Sequence, residues 1–494
     1  MRRRLVHRIP VRVRHYWRLL ATCVATVVAF AVVFSTVRVA PLVTSASDEN
    51  GDRVTVDLGG DTDLFDATVA HTIAITFRDE DYQRLLDAFW DEGEKEYLEA
   101  DLTLDGTFVP SVGIRLKGNS TLQGLTRNGE ARRNARGGGG PRGGGMPQGE
   151  GRPGGGRTQL KAEEPENLPW LIRFDEFVDG RRYQGHREIS VRVGGMGGGA
   201  AVLNEAVSLD VLAAAGEPAQ EYAYTSFTVN DRPTTARLIV EHPDENFADD
   251  LGANGVLYKS LSTSQFTDQG DDQTEYADDF KQINKKGSQD LQPVIDLIRW
   301  VNTATDAEFD AGLADRVDVE SFARYAATQN LLVNFDDMAG PGRNYYLWYD
   351  LGTRRFSVVG WDYNLTLSGS ATQDPAEPVT MGGGMRGGFQ PPEGGETPGM
   401  PPGGRGGFGG GHKLKERFLA GAAFQDVYRK AYRELFNEIY GNAAALNTIT
   451  EIRTVLGTVD GANAEAVATE AETLTTLIRE RTRFLATHEV VTRN

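Results

Sequence analysis

Cysteine is almost missing from this chain: among 494 residues there is one, Cys23. A single cysteine excludes an intrachain disulfide and a zinc cluster built on thiolates. The seven histidines are scattered and no His-Glu-x-x-His motif occurs, which excludes a zinc hydrolase of that type. No internal repeat is visible along the chain.

Acidic residues are missing from the first 47 positions, where eight arginines stand. The remainder therefore holds 44 basic and 70 acidic residues, a net charge of −26 compared with −18 for the whole chain. A surface this acidic does not neutralise a phosphate backbone, so we expect no nucleic-acid partner. It remains compatible with divalent cations, or with a nucleotide that carries its metal.

Charged residues are also missing from residues 19–37, LLATCVATVVAFAVVFSTV, and seven arginines precede that run. The run is about long enough to cross a bilayer as a helix, and the arginines favour a cytoplasmic amino end. The sequence predicts a basic cytoplasmic tail at 1–18, a transmembrane signal-anchor at 19–37 and a body outside the cytoplasm. The alternative is a signal peptide cleaved near Ala46, giving a secreted protein, although the apolar run exceeds the usual signal core.

The rest of the chain reads as a polar linker at 38–66 and one domain at 67–490. Two glycine-rich segments, at about 128–158 and 380–412, cannot bury apolar surface, and we interpret them as insertions in surface loops. Strand patterns dominate the first half, with hairpins expected to turn at Asp179-Gly180 and Asn230-Asp231. Helical patterns dominate the second half, where Asp318 is a candidate N-cap. This order predicts an α+β domain with two lobes, one rich in strands and one helical.

The segment NFDDMAGPGRNYYLWYDLGTRRFSVVGWDYNLTL, residues 334–367, contains two strand-like runs joined by a turn. In an antiparallel pair, the residues before the first strand and after the second lie at the same end. Asp336, Asn344 and Asp362 should therefore converge, and such oxygen donors suit Mg²⁺. Asp and Asn are also common in turns, so solvated loop acids remain the alternative, and we expect Asp337 and Asp350 to be solvated.

Five segments in order resemble the CotH family, the atypical kinases of the spore coat protein H type. They are GIRLKGNST, LNEAVSLDVLAAAGEPAQEYAYTSFTVND, the element ending in GVLYKS, NFDD with RNYYLWYD, and FSVVGWDYNLTL. Together they span about residues 70–370. One departure is Asp231, which stands where the family's V-N-G hairpin usually has glycine.

The resemblance implies an atypical protein-kinase-like fold that uses ATP and Mg²⁺ or Mn²⁺ to phosphorylate Ser or Thr of proteins. By position, Asp336 matches the catalytic aspartate, Asp362 the metal-binding aspartate, and Asn344 a residue with a metal or phosphate role. The basic motif residues Arg115, Lys117 and Lys259, with Asn119 and Ser120 beside them, are expected at the nucleotide phosphates. The GxGxxGxV, VAIK, HRD and DFG motifs of ordinary kinases are absent from the sequence.

Three functions stay open from the sequence. The first is a membrane-anchored kinase that acts on a protein substrate at the cell surface or coat. The second is a non-catalytic surface, coat or adhesion protein with the same fold, and the third is a kinase acting on a glycan or polymer. Glu205 and Glu241 resemble the helix glutamate of kinases, but we interpret both as surface salt-bridge residues, and Tyr363 as a residue that flanks the nucleotide.

Overall fold

The computed structural model describes residues 53–118, 121–132, 160–194, 199–379 and 411–493. The predicted cytoplasmic tail, the signal-anchor at 19–37, most of the linker, Asn119, Ser120 and most of both glycine-rich segments lie outside these ranges. Within them, no helix has the length and apolar character needed to cross a membrane.

The first half of the chain forms a barrel. Its described strands are β1 Val56–Leu58, β2 Ala70–Thr76, β3 Leu98–Leu104, β4 Thr107–Leu116, β5 Thr126–Arg127, β6 Glu130–Ala131, β7 Trp170–Arg173, β8 Arg181–Tyr183, β9 Glu188–Val191, β10 Tyr222–Val229 and β11 Thr235–Glu241. Seven of them close in the order β10-β11-β9-β7-β4-β3-β2, with β10 and β2 parallel. Alternating residues of β2, including Ile73 and Ile75, point inward to a core that also receives Leu85 and Phe89 of helix α1, Asp79–Asp91.

The strand pairing predicted around the turn at Asp179-Gly180 is wrong. Strand β7 pairs with β9, whereas β8, between them in sequence, pairs in parallel with β1. Gly180 has φ +69°, and a Cβ there would lie 2.3 Å from the carbonyl oxygen of Arg53. The chain before strand β1 therefore passes beside this turn, and β1 pairs with β8. Strand β7 pairs with β9 instead. The hairpin at Asn230-Asp231 is confirmed as β10 and β11.

A second sheet has the order β13-β12-β14-β15 and is built from β12 Gly255–Ser260, β13 Phe280–Gln282, β14 Tyr345–Asp350 and β15 Arg355–Gly360. Strands β14 and β15 are antiparallel, with Tyr345 opposite Gly360. This register confirms the predicted hairpin. It places Asn344, just before β14, at the same end as Asp362, just after β15.

Helices surround that sheet and confirm the mixed α+β prediction. After α1 they are α2 Leu203–Ala214, α3 Glu245–Leu251, α4 Gln292–Thr303, α5 Asp306–Gly312, α6 Val319–Leu331, α7 Lys413–Ala420, α8 Gln425–Phe436, α9 Ala444–Leu456, α10 Ala464–Ala486 and α11 Glu489–Thr492. The Asp318 side chain accepts a hydrogen bond from the backbone N–H of Ser321, so the predicted N-cap of α6 is confirmed. Helix α2 is buried on most sides and packs its Leu209 and Leu212 into the core that it shares with α9 and α10.

Candidate functional site

A cleft lies where the barrel, helix α2 and the end of β15 meet. It is lined by Lys117, Gly118, Thr121, Pro169, Val191, Arg192, Val193, Val202, Glu205, Asp362 and Asn364. Lys117 follows β4 and Arg192 follows β9, so the barrel contributes both cations. Glu205 comes from the first turn of α2, and Asp362 follows the hairpin. Residues that are far apart in sequence thus share one charged cleft.

Arg192 connects the three elements. Its Nη2 lies 2.5 Å from Glu205 Oε1, and its Nη1 lies 3.1 Å from Asp362 Oδ1. The Arg192 side chain is 9% exposed and that of Glu205 1%, whereas Asp362 is 26% exposed on the open side. A planar guanidinium can hold two carboxylates at once, so Arg192 fixes Asp362 relative to α2.

The carboxylates keep acceptor capacity that the described residues do not use. Glu205 Oε2 is buried and accepts no hydrogen bond in the part of the chain that the structure describes, and Asp362 Oδ1 is met by Arg192 Nη1 as an ion pair without a well-aligned hydrogen bond. Burial raises the pKa of Glu205 to about 7, with the Arg192 charge acting in the opposite direction. Buried oxygen atoms with open lone pairs are costly unless a donor or a cation meets them. The arrangement fits a bound cation.

Positive charge surrounds the ring of Trp361, which immediately precedes Asp362. Lys117 Nζ lies 4.9 Å from its ring, Lys259 Nζ 5.2 Å and Arg192 Cζ 5.2 Å. Burial lowers the pKa of Lys117 well below its usual value, and neighbouring cations add to this effect. Burial likewise lowers the pKa of Lys259 to about 8. Cations held together against burial and mutual repulsion would be stabilised by a bound anion.

Lys259 contacts His242, which in turn lies beside Glu188. The Lys259 Nζ lies 3.5 Å from His242 Nε2, and His242 Nδ1 lies 3.1 Å from Glu188 Oε2. Burial lowers the pKa of His242 to about 3, so its imidazole is neutral. A neutral ring with its proton on Nδ1, the nitrogen that faces Glu188, has Nε2 free to accept from the ammonium group.

Asp336 lies in the loop after α6, where hydrogen bonds from nearby residues of the same loop fix its carboxylate. Asp336 Oδ1 accepts from the Gly342 N–H at 2.6 Å, and Oδ2 accepts from Asn344 Nδ2 at 3.0 Å. A Cβ at Gly342 would lie 2.7 Å from Asp336 Oδ2, so glycine is required for this approach. Burial raises the pKa of Asp336 to about 6, and the charge of Asp362 contributes in the same direction.

Asp337 is not solvated as predicted. It is 3% exposed, its Oδ2 forms an ion pair with Lys415 of α7, and its Oδ1 accepts from the Ala339 N–H at 2.8 Å. The partner lies 78 residues away along the chain, beyond the second glycine-rich segment. The prediction that Asp337 is solvated failed because helix α7, which is distant in sequence, covers this residue. Asp350 is a turn acid that accepts from Gly352 and Thr353 N–H groups.

The predicted site residues separate into groups. Asp362 and Lys117 line the cleft, Lys259 faces Trp361, and Asp336 contacts Asn344 directly. Arg115 is placed further along the barrel, where its guanidinium lies 5.2 Å from the Tyr97 ring.

Sequence reasoning missed Arg192, and it interpreted Glu205 and Glu241 wrongly as surface residues. Glu205 is 1% and Glu241 2% exposed, since both face packed elements. Tyr363, expected beside the nucleotide, is 2% exposed and lies in the core instead. The available signals were the strand end SVRVGG for Arg192 and the position of Glu205 at the start of a predicted helix.

Among the described residues, no group of three or more His, Cys, Asp or Glu side chains is arranged to hold a metal ion. The candidate donors here are mixed, with one carboxylate, Asp362, and one amide, Asn344. Hard divalent cations accept such oxygen donors and complete their shells with water or phosphate oxygens. Asp362 lines the cleft, is 26% exposed and uses only Oδ1 toward Arg192, so this donor set is compatible with Mg²⁺ or Mn²⁺.

Comparison with known proteins gives one family. The family model described as "CotH kinase protein" matches residues 156–485. No curated protein matches. Among solved structures, a Shewanella oneidensis MR-1 complex of the toxin–antitoxin proteins HipA and HipB with operator DNA aligns at 11% identity and a TM-score of 0.29. That alignment covers 62% of this chain and 59% of the other, and similarity at this level supports no conclusion about fold or function.

Proposed function

Because the chain belongs to the CotH kinase family, we propose that it is an atypical protein kinase with a two-lobed kinase-like fold. It transfers the terminal phosphoryl group of ATP to Ser or Thr hydroxyls of proteins. The observation that carries the proposal is the convergence of Arg192, Glu205 and Asp362 in one cleft. Protein kinases combine a strand lysine that pairs with a helix glutamate and a metal-binding aspartate; here Arg192, just after a strand, stands in place of the lysine.

Asp336 is the residue for proton transfer. The substrate hydroxyl oxygen attacks the terminal phosphorus, the bond from phosphorus to the ADP oxygen breaks, and the hydroxyl proton passes to an Asp336 oxygen. Both oxygens of Asp336 are oriented by donors, Gly342 N–H and Asn344 Nδ2, which keeps the carboxylate in one position. A positioned carboxylate of this kind accepts the proton as attack proceeds.

The cations bind and orient the nucleotide. Lys117, Arg192 and Lys259 meet around Trp361, and their charge favours phosphate oxygens over neutral ligands. Arg115, beyond Tyr97, adds to the positive field without lining the cleft. Asn119, two positions after Lys117 in the sequence, keeps its proposed role as a hydrogen-bonding residue for the nucleotide.

Asp362 and Asn344 are the residues that would hold Mg²⁺ or Mn²⁺. Such an ion, when bound, neutralises charge on the phosphate oxygens during transfer. Arg192 Nη1 keeps Asp362 in place through Oδ1 at 3.1 Å, so the other carboxylate oxygen, Oδ2, is the natural donor to the ion.

We also propose that the kinase body works outside the cytoplasm, anchored by residues 19–37, or secreted if that segment is cleaved. Its partner is a protein substrate at the cell surface or coat, and no nucleic acid. The arginine-rich start and the acidic body support this orientation.

The test uses the full chain in detergent with labelled ATP and Mg²⁺ or Mn²⁺. Asp336→Asn should abolish transfer but keep metal-dependent ATP binding, since it removes only the proton acceptor. Asp362→Asn should weaken that binding at least ten-fold. Asp350→Asn, a change to a turn acid at the far end of the hairpin, is the matched control and should behave as wild type. Absence of both transfer and metal-dependent ATP binding in the wild type would favour the non-catalytic surface protein.

A further inference from the structure

The start of helix α2 has an unusual backbone. Val202, its N-cap residue, has φ 54° and ψ 40°, and no side chain within the helix start caps the exposed N–H groups. A β-branched residue in the left-handed region is sterically strained, and such strain persists only where the surroundings enforce it. Val202 also lines the candidate cleft. Something must therefore hold this residue in its position.

Glu470, from the second turn of α10, supplies the restraint. Its Oε2 accepts from the Ala201 N–H at 3.0 Å and its Oε1 from the Leu203 N–H at 2.7 Å. One carboxylate thus bridges the residues on either side of Val202. A negative group at this end of α2 also interacts favourably with the helix dipole.

The approach to Glu470 is built into the chain before the helix. Gly199 has φ +71°, and a Cβ there would lie 2.3 Å from Glu470 Cδ and 2.4 Å from Oε2. Tyr224 of the barrel donates to the Ala201 carbonyl oxygen at 2.9 Å, which fixes the same segment from the other side. Two independent contacts therefore hold the backbone that leads into α2.

We propose that Glu470 is a positioning residue for the cleft: by clamping Ala201 and Leu203 it holds Val202 in the left-handed conformation and sets the first turn of α2. That turn carries Glu205, which pairs with Arg192, and Arg192 in turn holds Asp362. Helix α10 thereby controls the charge geometry of the cleft from outside it. The catalytic part of this inference rests on the proposed kinase function, whereas the structural part does not.

The first measurement is hydrogen exchange of the full chain without nucleotide, at pH 8. Burial raises the pKa of Glu470 to about 7, so the carboxylate is ionised there. Glu470→Ala should speed exchange across residues 201–206 at least ten-fold, and Glu470→Gln, which keeps an acceptor oxygen, should fall in between. Glu472→Ala removes an exposed carboxylate two residues along the same helix and is the matched control, with exchange as in the wild type. Unchanged exchange at 201–206 in Glu470→Ala would overturn the clamp.

The second measurement separates positioning from general stability. Glu470→Ala should lower kcat for phosphoryl transfer at least ten-fold and change the KM for protein substrate little, with Glu470→Gln partly restoring kcat. A loss of kcat equal to that in Glu472→Ala would overturn the positioning role. If the wild type transfers no phosphate while the exchange effect is present, the kinase proposal fails and the clamp stands.

A double-mutant cycle with Val202→Gly tests the strain itself. Glycine adopts φ 54° without steric penalty, so the fall in unfolding temperature caused by Glu470→Ala should be smaller in the Val202→Gly background. Equal falls in both backgrounds would show that the carboxylate does not hold a strained residue.

Discussion

Arg481 of α10 offers the sharpest test of how the helical part supports the site. Its side chain is completely buried, and it donates to the carbonyl oxygens of Asn330 at 2.9 Å, Ala371 at 3.2 Å and Gln373 at 2.5 Å. It also reaches Leu331 O at 3.3 Å, an oxygen that Tyr440 OH shares at 2.9 Å. The guanidinium thus joins the end of α6, which leads to Asp336, to the loop that follows Asp362.

Arg481→Met would leave the carbonyl oxygens of Ala371 and Gln373 without this donor, whereas Asn330 keeps the Val333 N–H and Leu331 keeps Tyr440. Each buried acceptor without a partner costs about 1–3 kcal/mol, and removing a buried charge from an apolar setting returns part of that cost. For two such acceptors we therefore expect a loss of about 2–4 kcal/mol in the free energy of unfolding, measured by denaturant titration. Arg481→Lys should recover little, because one ammonium cannot reach oxygens spread over a planar fork.

The matched control is Arg483→Met, an exposed arginine on the same helix, for which surface substitution predicts a change within about 0.5 kcal/mol. At a temperature where both proteins are folded, Arg481→Met should also reduce phosphoryl transfer, since two loops of the site lose a shared anchor. A stability of Arg481→Met equal to that of Arg483→Met would refute the reasoning, because it would mean that water satisfies the released oxygens.

Three further changes are predicted. Lys415→Met should cost about 3 kcal/mol in unfolding free energy because it leaves the Asp337 carboxylate buried and unpaired, and the double change with Asp337→Asn should cost less in the same denaturant titration. Burial raises the pKa of Glu241 to about 9, so its stabilising contribution is present below its unfolded pKa near 4.5 and is lost as pH rises through 9. Glu241→Gln should therefore gain stability relative to wild type by up to about 1.4 kcal/mol per pH unit across that window, measured by thermal unfolding. Glu205→Gln should lower kcat at least ten-fold and also lower the unfolding midpoint, because the buried Arg192 guanidinium loses one of its two carboxylate partners; a normal kcat would contradict the assignment.

Local patterns predicted the parts of the fold that depend on neighbouring residues. The β14–β15 hairpin, the β10–β11 turn at Asn230 and the cap at Asp318 all rest on residues within a few positions of each other. The contact of Asp336 with Asn344 belongs to the same class, because the two residues lie only eight positions apart in one loop. These features follow from turn chemistry and strand alternation, which a sequence displays directly.

The parts that failed depend on the arrangement of distant elements. Arg192 and Glu205 pair only because the barrel places the end of β9 beside the first turn of α2. Asp337 is buried by Lys415, which returns to the site after the second glycine-rich segment. Strand β8 leaves its expected hairpin because β1 pairs with it. Nothing in the spacing of these residues distinguishes them from surface charges or an ordinary turn.

The energetics of the cleft bear on the choice between a catalyst and a scaffold. Burying Arg192, Glu205 and part of Asp362 costs desolvation that their attraction repays incompletely, and apolar residues of similar volume would often stabilise a fold as well or better. Backbone strain adds to that cost, since Val202 and Asp362 have φ values of 54° and 60° beside the cleft. A protein selected only for a stable surface would gain by losing these charges and conformations. A phosphoryl-transfer site gains from keeping them, because dipoles and charges fixed before the substrate arrives need no reorganisation during the reaction. Replacing both Arg192 and Glu205 by Met should therefore preserve or raise the unfolding midpoint while abolishing ATP binding. A large loss of stability in that variant would instead assign the ion pair to the scaffold.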